Sequence, residues 1–186
     1  GSFYQINKRN DGFTKTGYVA RSNLHTSVRW RQYYNYNVNQ KSLIIEPKIK
    51  LTYIGGDAKN NDIPNRDSAD FRIDSANMFL THRFQGYDYV LPGARADLGL
   101  STFTNSKFLG SLHGFAGVSR RHTGDVPSGL STGTDTDLSD YVATISAEKD
   151  HLYAFSWSGR LNSTSSNLDE SRTKLSTRIQ NALFTI

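Results

Sequence analysis

No cysteine occurs among the 186 residues, which excludes a disulfide scaffold and a thiolate metal site without identifying a compartment. No apolar run approaches the roughly 20 residues that a membrane-crossing helix needs. A mean hydropathy of -0.57 with 21% charged residues likewise excludes a helical membrane protein. It does not exclude a membrane β-barrel, in which only every second residue meets lipid. No stretch combines a helical period with caps. Gly1 to Asn10 lacks the charged start and apolar stretch of a secretory leader, so an exported protein with this sequence is expected to be mature or a fragment.

What the chain does contain is strict apolar/polar alternation with charge on one side. From Lys41 to Ile54, Leu43, Ile45, Ile49, Leu51 and Tyr53 fall on one face, and Glu46, Lys48, Lys50 and Thr52 on the other. From Ser171 to Gln180, Thr173, Leu175, Thr177 and Ile179 oppose Arg172, Lys174, Ser176, Arg178 and Gln180. Side chains of a strand alternate with period two, so each segment is a ribbon with one apolar and one charged face. A barrel wall between lipid and water has that pattern.

Strands are predicted over about 2 to 9, 15 to 33, 41 to 54, 94 to 104, 107 to 120, 139 to 149, 151 to 162 and 170 to 182. Long and short connections take turns. The stretch 55 to 93 is very long, 104 to 107 tight, 121 to 138 long, and Lys149 and Asp150 a tight turn. Short turns on one side and long loops on the other mark an up-and-down antiparallel wall. Trp30, Tyr33, Tyr34, Tyr36, Tyr53, Phe103, Phe108, Tyr141 and Tyr153 stand toward strand ends, where an interfacial girdle is favoured over ordinary cross-strand aromatic pairs. Pro47 removes one ladder donor, so the strand is expected to be bulged or locally unpaired there. The expected fold is all-β: an antiparallel, up-and-down transmembrane β-barrel segment of about eight strands with long extracellular loops. Residues 1–186 are enough for one domain, with its long loop at 55–93.

Catalysis and metal binding find little support. Gly129-Leu130-Ser131-Thr132-Gly133 matches a nucleophile pattern that needs a strand before it and a helix after it, whereas an Asp/Thr-rich loop follows. Asp135, Asp137 and Asp140 lack the glycine and terminal glutamate of an EF-hand, and read first as a solvated acidic loop. His25, His82, His113, His122 and His151 show no zinc spacing. No catalytic residue, metal or cofactor is assigned. The net charge of +5 and pI near 9.4 are compatible with a polyanionic partner. Without a basic helix, a zinc-finger spacing or an RNA-binding aromatic motif, no nucleic-acid partner is expected.

Several segments together resemble the C-terminal barrel region of the LptD family of lipopolysaccharide-assembly proteins, most closely its alphaproteobacterial members. They are Ile45-Glu46-Pro47-Lys48, the run from Asp62 through Ile63, Pro64 and Asp67 to Phe71, Asn77-Met78-Phe79, Arg83-Phe84-Gln85-Gly86-Tyr87-Asp88, and Gly93 to Leu100. The match is densest over Ile45 to Leu100. The resemblance implies a segment of a very large barrel in the Gram-negative outer membrane that inserts lipopolysaccharide into the outer leaflet by binding and passage. It also implies an LptE-like plug lipoprotein and an LptA-like periplasmic bridge as partners, the latter acting through an N-terminal domain absent here. The family's disulfide cysteines are absent as well.

Two rivals remain: a small eight-stranded outer-membrane barrel, adhesin or passive pore, and a soluble lipocalin-like lipid carrier. On the membrane reading Arg29, Arg31, Lys48, Lys50, Arg95, Arg160, Arg172, Lys174 and Arg178 line a lumen. There they pair either with phosphates and acidic sugars of lipopolysaccharide, or with acidic neighbours such as Glu46 and Asp97. The long loop, with Ile63, Phe71, Met78, Phe79, Leu80 and Phe84 among its acidic residues, is expected to be ordered and to close the barrel, with Arg83 pairing Asp88.

Overall fold

Alternation at this density produces strands throughout the computed structural model, which describes residues 2–7, 14–19, 21–36, 41–56, 72–83, 92–123, 134, 136–150, 152–179 and 182–185. Among the described residues β1 (Ser2–Asn7) and β2 (Thr14–Val19) pair only with each other, in a two-stranded ribbon. β3 (Arg21–Arg29), β4 (Gln32–Tyr36), β5 (Lys41–Gly56), β6 (Gly93–Ser106), β7 (Gly110–Arg121), β8 (Tyr141–Lys149), β9 (Tyr153–Leu161), β10 (Leu168–Ile179) and β11 (Ala182–Thr185) build one nine-stranded sheet. From β5 to β11 neighbours in the sheet are neighbours in sequence, and every pairing is antiparallel, so the up-and-down expectation holds. Among the described residues the sheet stays open, with β11 at one edge and β3 and β4 at the other.

The strand expected over 15 to 33 is divided. β2 belongs to the ribbon, while β3 and β4 both pair with β5. Pro47 accounts for the gap between β3 and β4. β5 runs through it unbroken, and the partner loses strand geometry at Trp30 and Arg31, where Pro47 offers no N–H. The Trp30 amide still donates to the Pro47 carbonyl at 3.1 Å, and Arg29↔Lys48 and Gln32↔Ile45 keep one register. The ladder is locally unpaired but not bulged.

Short turns close one end of the sheet. β6 and β7 are joined through residues 107–109, and Gly110 has φ 69°, at a place where a Cβ would collide with the Glu148 carbonyl oxygen. β8 and β9 turn at Asp150, whose φ of 43° suits a short polar side chain, with Leu152 N donating to Lys149 O at 2.7 Å. The connections 57–92, 122–140 and 162–167 all lie at the other end, so long and short alternate as the sequence suggests.

Candidate functional site

Register assigns every strand residue to a face. Glu46, Lys48, Lys50 and Thr52 of β5 stand beside Ser101, Gly99, Asp97 and Arg95 of β6, and these beside Phe115, Gly117, Ser119 and Arg121 of β7. Val142, Thr144 and Ser146 of β8, Arg160, Ser158 and Ser156 of β9, and Glu170, Arg172 and Lys174 of β10 continue the same face. Burial across the sheet is the inverse of a soluble protein's. Ile49, Leu51 and Tyr53 are 47%, 51% and 53% exposed, whereas Lys50 is 7%, Thr52 3% and Asp97 0% exposed. Charged residues are almost never so buried unless paired, and a continuous apolar outer face marks an interaction with lipid or protein. Trp30, Tyr34, Tyr53 and Tyr141 lie on this exposed face, as a girdle requires. Phe103 does not. It stands on the polar face, stacked on His113 with ring centroids 4.5 Å apart.

The polar face is covered near its long-loop end by residues 72–83. Asp74 starts a turn there: its Oδ1 accepts from the amides of Ala76 (2.9 Å) and Asn77 (2.8 Å), while Asn77 Oδ1 accepts from Asp74 N (2.9 Å). This turn delivers Ile73, Met78 and Phe79 to a small apolar cluster with Val142 and Phe115. The seat is made by glycine. Gly99 and Gly117 face each other across β6 and β7, and a Cβ on either would come within 2.7 Å of Phe79 or 2.5 Å of Met78 Sδ. Lys48 Nζ lies 4.2 Å from the Phe79 ring centroid, within cation–π range.

Ionic groups lock the loop onto the sheet. Arg83 Nη2 donates to Asp97 Oδ1 (2.6 Å), Ser119 Oγ (2.8 Å) and the Met78 carbonyl (2.8 Å). Ser119 Oγ donates to Asp97 Oδ1 at 2.6 Å, and Arg95 Nε lies 3.3 Å from Asp97 Oδ2. Arg95 also donates to the carbonyls of Leu80 and Thr81, and Lys50 to Phe79 O (2.7 Å) and Thr81 Oγ1 (2.8 Å). Burial, and then the charge of Arg95, push the Arg83 guanidinium down to about 10 against the pull of Asp97, so it remains a cation at neutral pH.

Of the nine basic residues expected on one side, Arg29, Lys48, Lys50, Arg95, Arg160, Arg172 and Lys174 stand on the polar face by register; Arg31 lies in the gap between β3 and β4, and the Arg178 side chain lies outside the described residues. Arg31 Nη2 and Arg29 Nε stand 2.6 and 3.8 Å from Glu46, Arg160 Nε 3.3 Å from Asp140, and Arg172 Nη2 3.2 Å from Glu170. Acidic neighbours thus balance much of the cationic wall. Toward the short turns a cavity of about 780 Å³ opens, lined by Ile44, Phe103, His113 and Lys174. Of the loop motif, Arg83 is central, whereas Ile63, Pro64, Asp67, Phe84, Gly86, Tyr87 and Asp88 lie outside the described residues, and with Asp88 the expected Arg83–Asp88 pair. The partner that the structure gives Arg83 is Asp97. Gly129 to Gly133 and Asp135 also lie outside, and Asp140 faces Arg160 rather than a group of acidic ligands.

Sequence reasoning missed Ser119 and the two glycines, and treated Asp97 only as a neighbour of the basic wall. An acidic residue flanked by Ala96 and Leu98 at mid-strand was the available signal for Asp97.

The family model for LPS transport system D, LptD, matches residues 1–186, the whole chain. The chain belongs to the LptD family. No curated protein matches it. The family is one of outer-membrane proteins that transport lipopolysaccharide, and a β-rich chain is consistent with it; among the described residues no helix is long and apolar enough to cross a membrane, which says nothing of a β-barrel.

Proposed function

We propose that this LptD chain forms part of the transmembrane wall of a larger outer-membrane β-barrel, one partial domain of it, through which lipopolysaccharide is bound and passed into the outer leaflet. The observation that carries the reading is the inverted burial: Leu51 outward and half exposed, Lys50 and Asp97 inward and covered. In this reading the apolar face meets hydrocarbon and the polar face meets a wet lumen. A soluble carrier needs the opposite, with Ile49 and Leu51 around a dry centre.

Arg29, Arg31, Lys48, Lys50, Arg95, Arg160, Arg172, Lys174 and Arg178 supply the lumenal cations. Exposed Arg29, Arg172 and Lys174 are the best placed to meet phosphates and acidic sugars during passage. Residues 72–83 act as a lumenal stopper on the side of the long, extracellular loops. An LptE-like plug lipoprotein and an LptA-like periplasmic bridge are the partners that complete the route. The transport needs binding and release, with no bond made or broken.

The test is a pair of substitutions. Leu51→Arg or Leu175→Arg places a charge against lipid, which costs about 2–4 kcal/mol at the bilayer midplane. Both are expected to block membrane assembly, measured as loss of the folded, heat-modifiable species from outer membranes. Lys174→Gln is expected to assemble normally. Equal tolerance at the two kinds of position would reverse the assignment of faces and reject the membrane wall.

A further inference from the structure

The polar face carries an arginine whose donors exceed its acceptors. Arg160 is 8% exposed, and neither its Nε nor its Nη1 has a hydrogen-bond partner among the described residues, although Nε lies 3.3 Å from Asp140 Oδ2. Buried donors without acceptors are costly, so a residue held this way implies a missing acceptor. Arg160 lines a cavity of about 520 Å³ between the 72–75 turn and strands β8 to β10, a size typical of small-molecule sites. Arg72 and Arg172 stand on the same rim.

Carboxylates are present but engaged. Glu170 lies 3.5 Å from Arg72 Nη1 and 3.2 Å from Arg172 Nη2, Asp140 Oδ1 accepts from Ser163 N at 3.2 Å, and Asp74 Oδ1 holds the turn amides. The remaining lining is rich in hydroxyls, among them Ser75, Thr144 and Ser158, with Thr144 Oγ1 donating to Ser75 Oγ at 3.0 Å.

From these groups we infer that the cavity is a binding subsite for an anionic sugar, whose oxyanion takes the idle Arg160 donors while its hydroxyls meet the Ser/Thr wall. Guanidinium recognises phosphate and carboxylate with the same fork, so the shared chemistry is an oxyanion on a polyhydroxylated ring. The inference deepens the passage reading and rests on it. It adds a defined stopping point on the wall, between the stopper loop and β10.

The test is equilibrium binding by calorimetry to the intact protein carrying this chain, in detergent micelles, with glucose 1-phosphate, glucuronate and glucose as probes. One or both anionic sugars are expected to bind saturably and glucose not to bind. Which of the two is tighter identifies the oxyanion. Arg160→Lys keeps a cation for Asp140 but removes the fork, and the paired Arg72→Gln/Arg172→Gln changes side chains that are 65% and 77% exposed. Each variant is expected to weaken binding about tenfold or more. Equal binding of glucose, absent binding of both anions, or unchanged affinity in the two variants would overturn the subsite. If that happened while Leu51→Arg still blocked assembly, the subsite alone would fall. Normal assembly of Leu51→Arg would remove the membrane wall instead.

Discussion

Asp97→Asn is expected to release residues 72–83 from the polar face while leaving the strands paired. Asp97 is fully buried and answers two guanidiniums, those of Arg83 and Arg95, as well as the Ser119 hydroxyl. Its neutral replacement strands both cations in a covered site, and breaking a buried pair from one side costs about 3–5 kcal/mol. Because the loop is held by this cluster and the strands by their ladders, the loss falls on local opening of the loop. Amide exchange at Met78, whose N–H is bonded to Asp74 O at 3.1 Å, should rise about a hundredfold or more, with β6 and β7 amides unchanged. Passage of bulky hydrophilic solutes through membranes carrying the variant should increase. Arg83→Met combined with Asp97→Leu removes both charges of the shortest pair and should recover part of the protection. Unchanged exchange in Asp97→Asn would mean that apolar packing alone holds the loop.

The second large effect concerns the seat. Gly117→Val places a branched side chain where Met78 Sδ would lie 2.5 Å from its Cβ, and the alternative contact, the Leu98 carbonyl at 3.0 Å, is backbone that cannot yield cheaply. Overpacking of this kind costs about 1–3 kcal/mol, so Met78 and Phe79 should lift away together with the loop. Ala116→Val, one residue along and on the exposed face, is the control and should change little. Protease cleavage within 72–83 in Gly117→Val, with none in Ala116→Val, is the expected outcome. Equal resistance of the two would refute the glycine seat. A lesser substitution, Gly117→Ala, should give an intermediate rate, since only the first carbon is added.

Face assignment was legible from residues alone because a period of two needs no partner to be read. Leu98 and Leu100 against Asp97, and Trp157 and Leu161 against Arg160, emerge on the sides that their alternation dictates. β7 was harder to read, since Gly114 and Gly117 interrupt its pattern. Gly117 does so because the loop needs the room. That role appears only when register sets Gly117 opposite Gly99, a relation between positions 18 apart that periodicity does not encode.

Partnership was illegible for the same reason. The expected Arg83–Asp88 pair lies outside the described residues, whereas the Arg83 contact with Asp97, 14 residues away on a strand, was not foreseen. A loop's local charges do not reveal which wall it will meet. Ile73 and Phe115, likewise central to the small core, were not singled out, because neither lies on an apolar stripe. The short β11 carries too few residues for a pattern, and the division of β3 from β4 lies in the partner of Pro47 rather than in its own strand. The one ribbon that pairs apart from the main sheet, β1 with β2, has no sequence signal distinguishing it from the rest.

The tight reversals at Gly110 and Asp150 bear on how such a wall comes into being. Each brings adjoining strands together at minimal loop-closure entropy, so the β6–β7 and β8–β9 hairpins are units that can zip from their turns before any distant contact exists. Residues 72–83 have no such head start. Their anchors draw on Lys50, Asp97, Ser119 and Val142, which belong to four strands, so docking has to wait until those strands are aligned. Assembly is therefore ordered in time, with an unobstructed trough preceding the closed one.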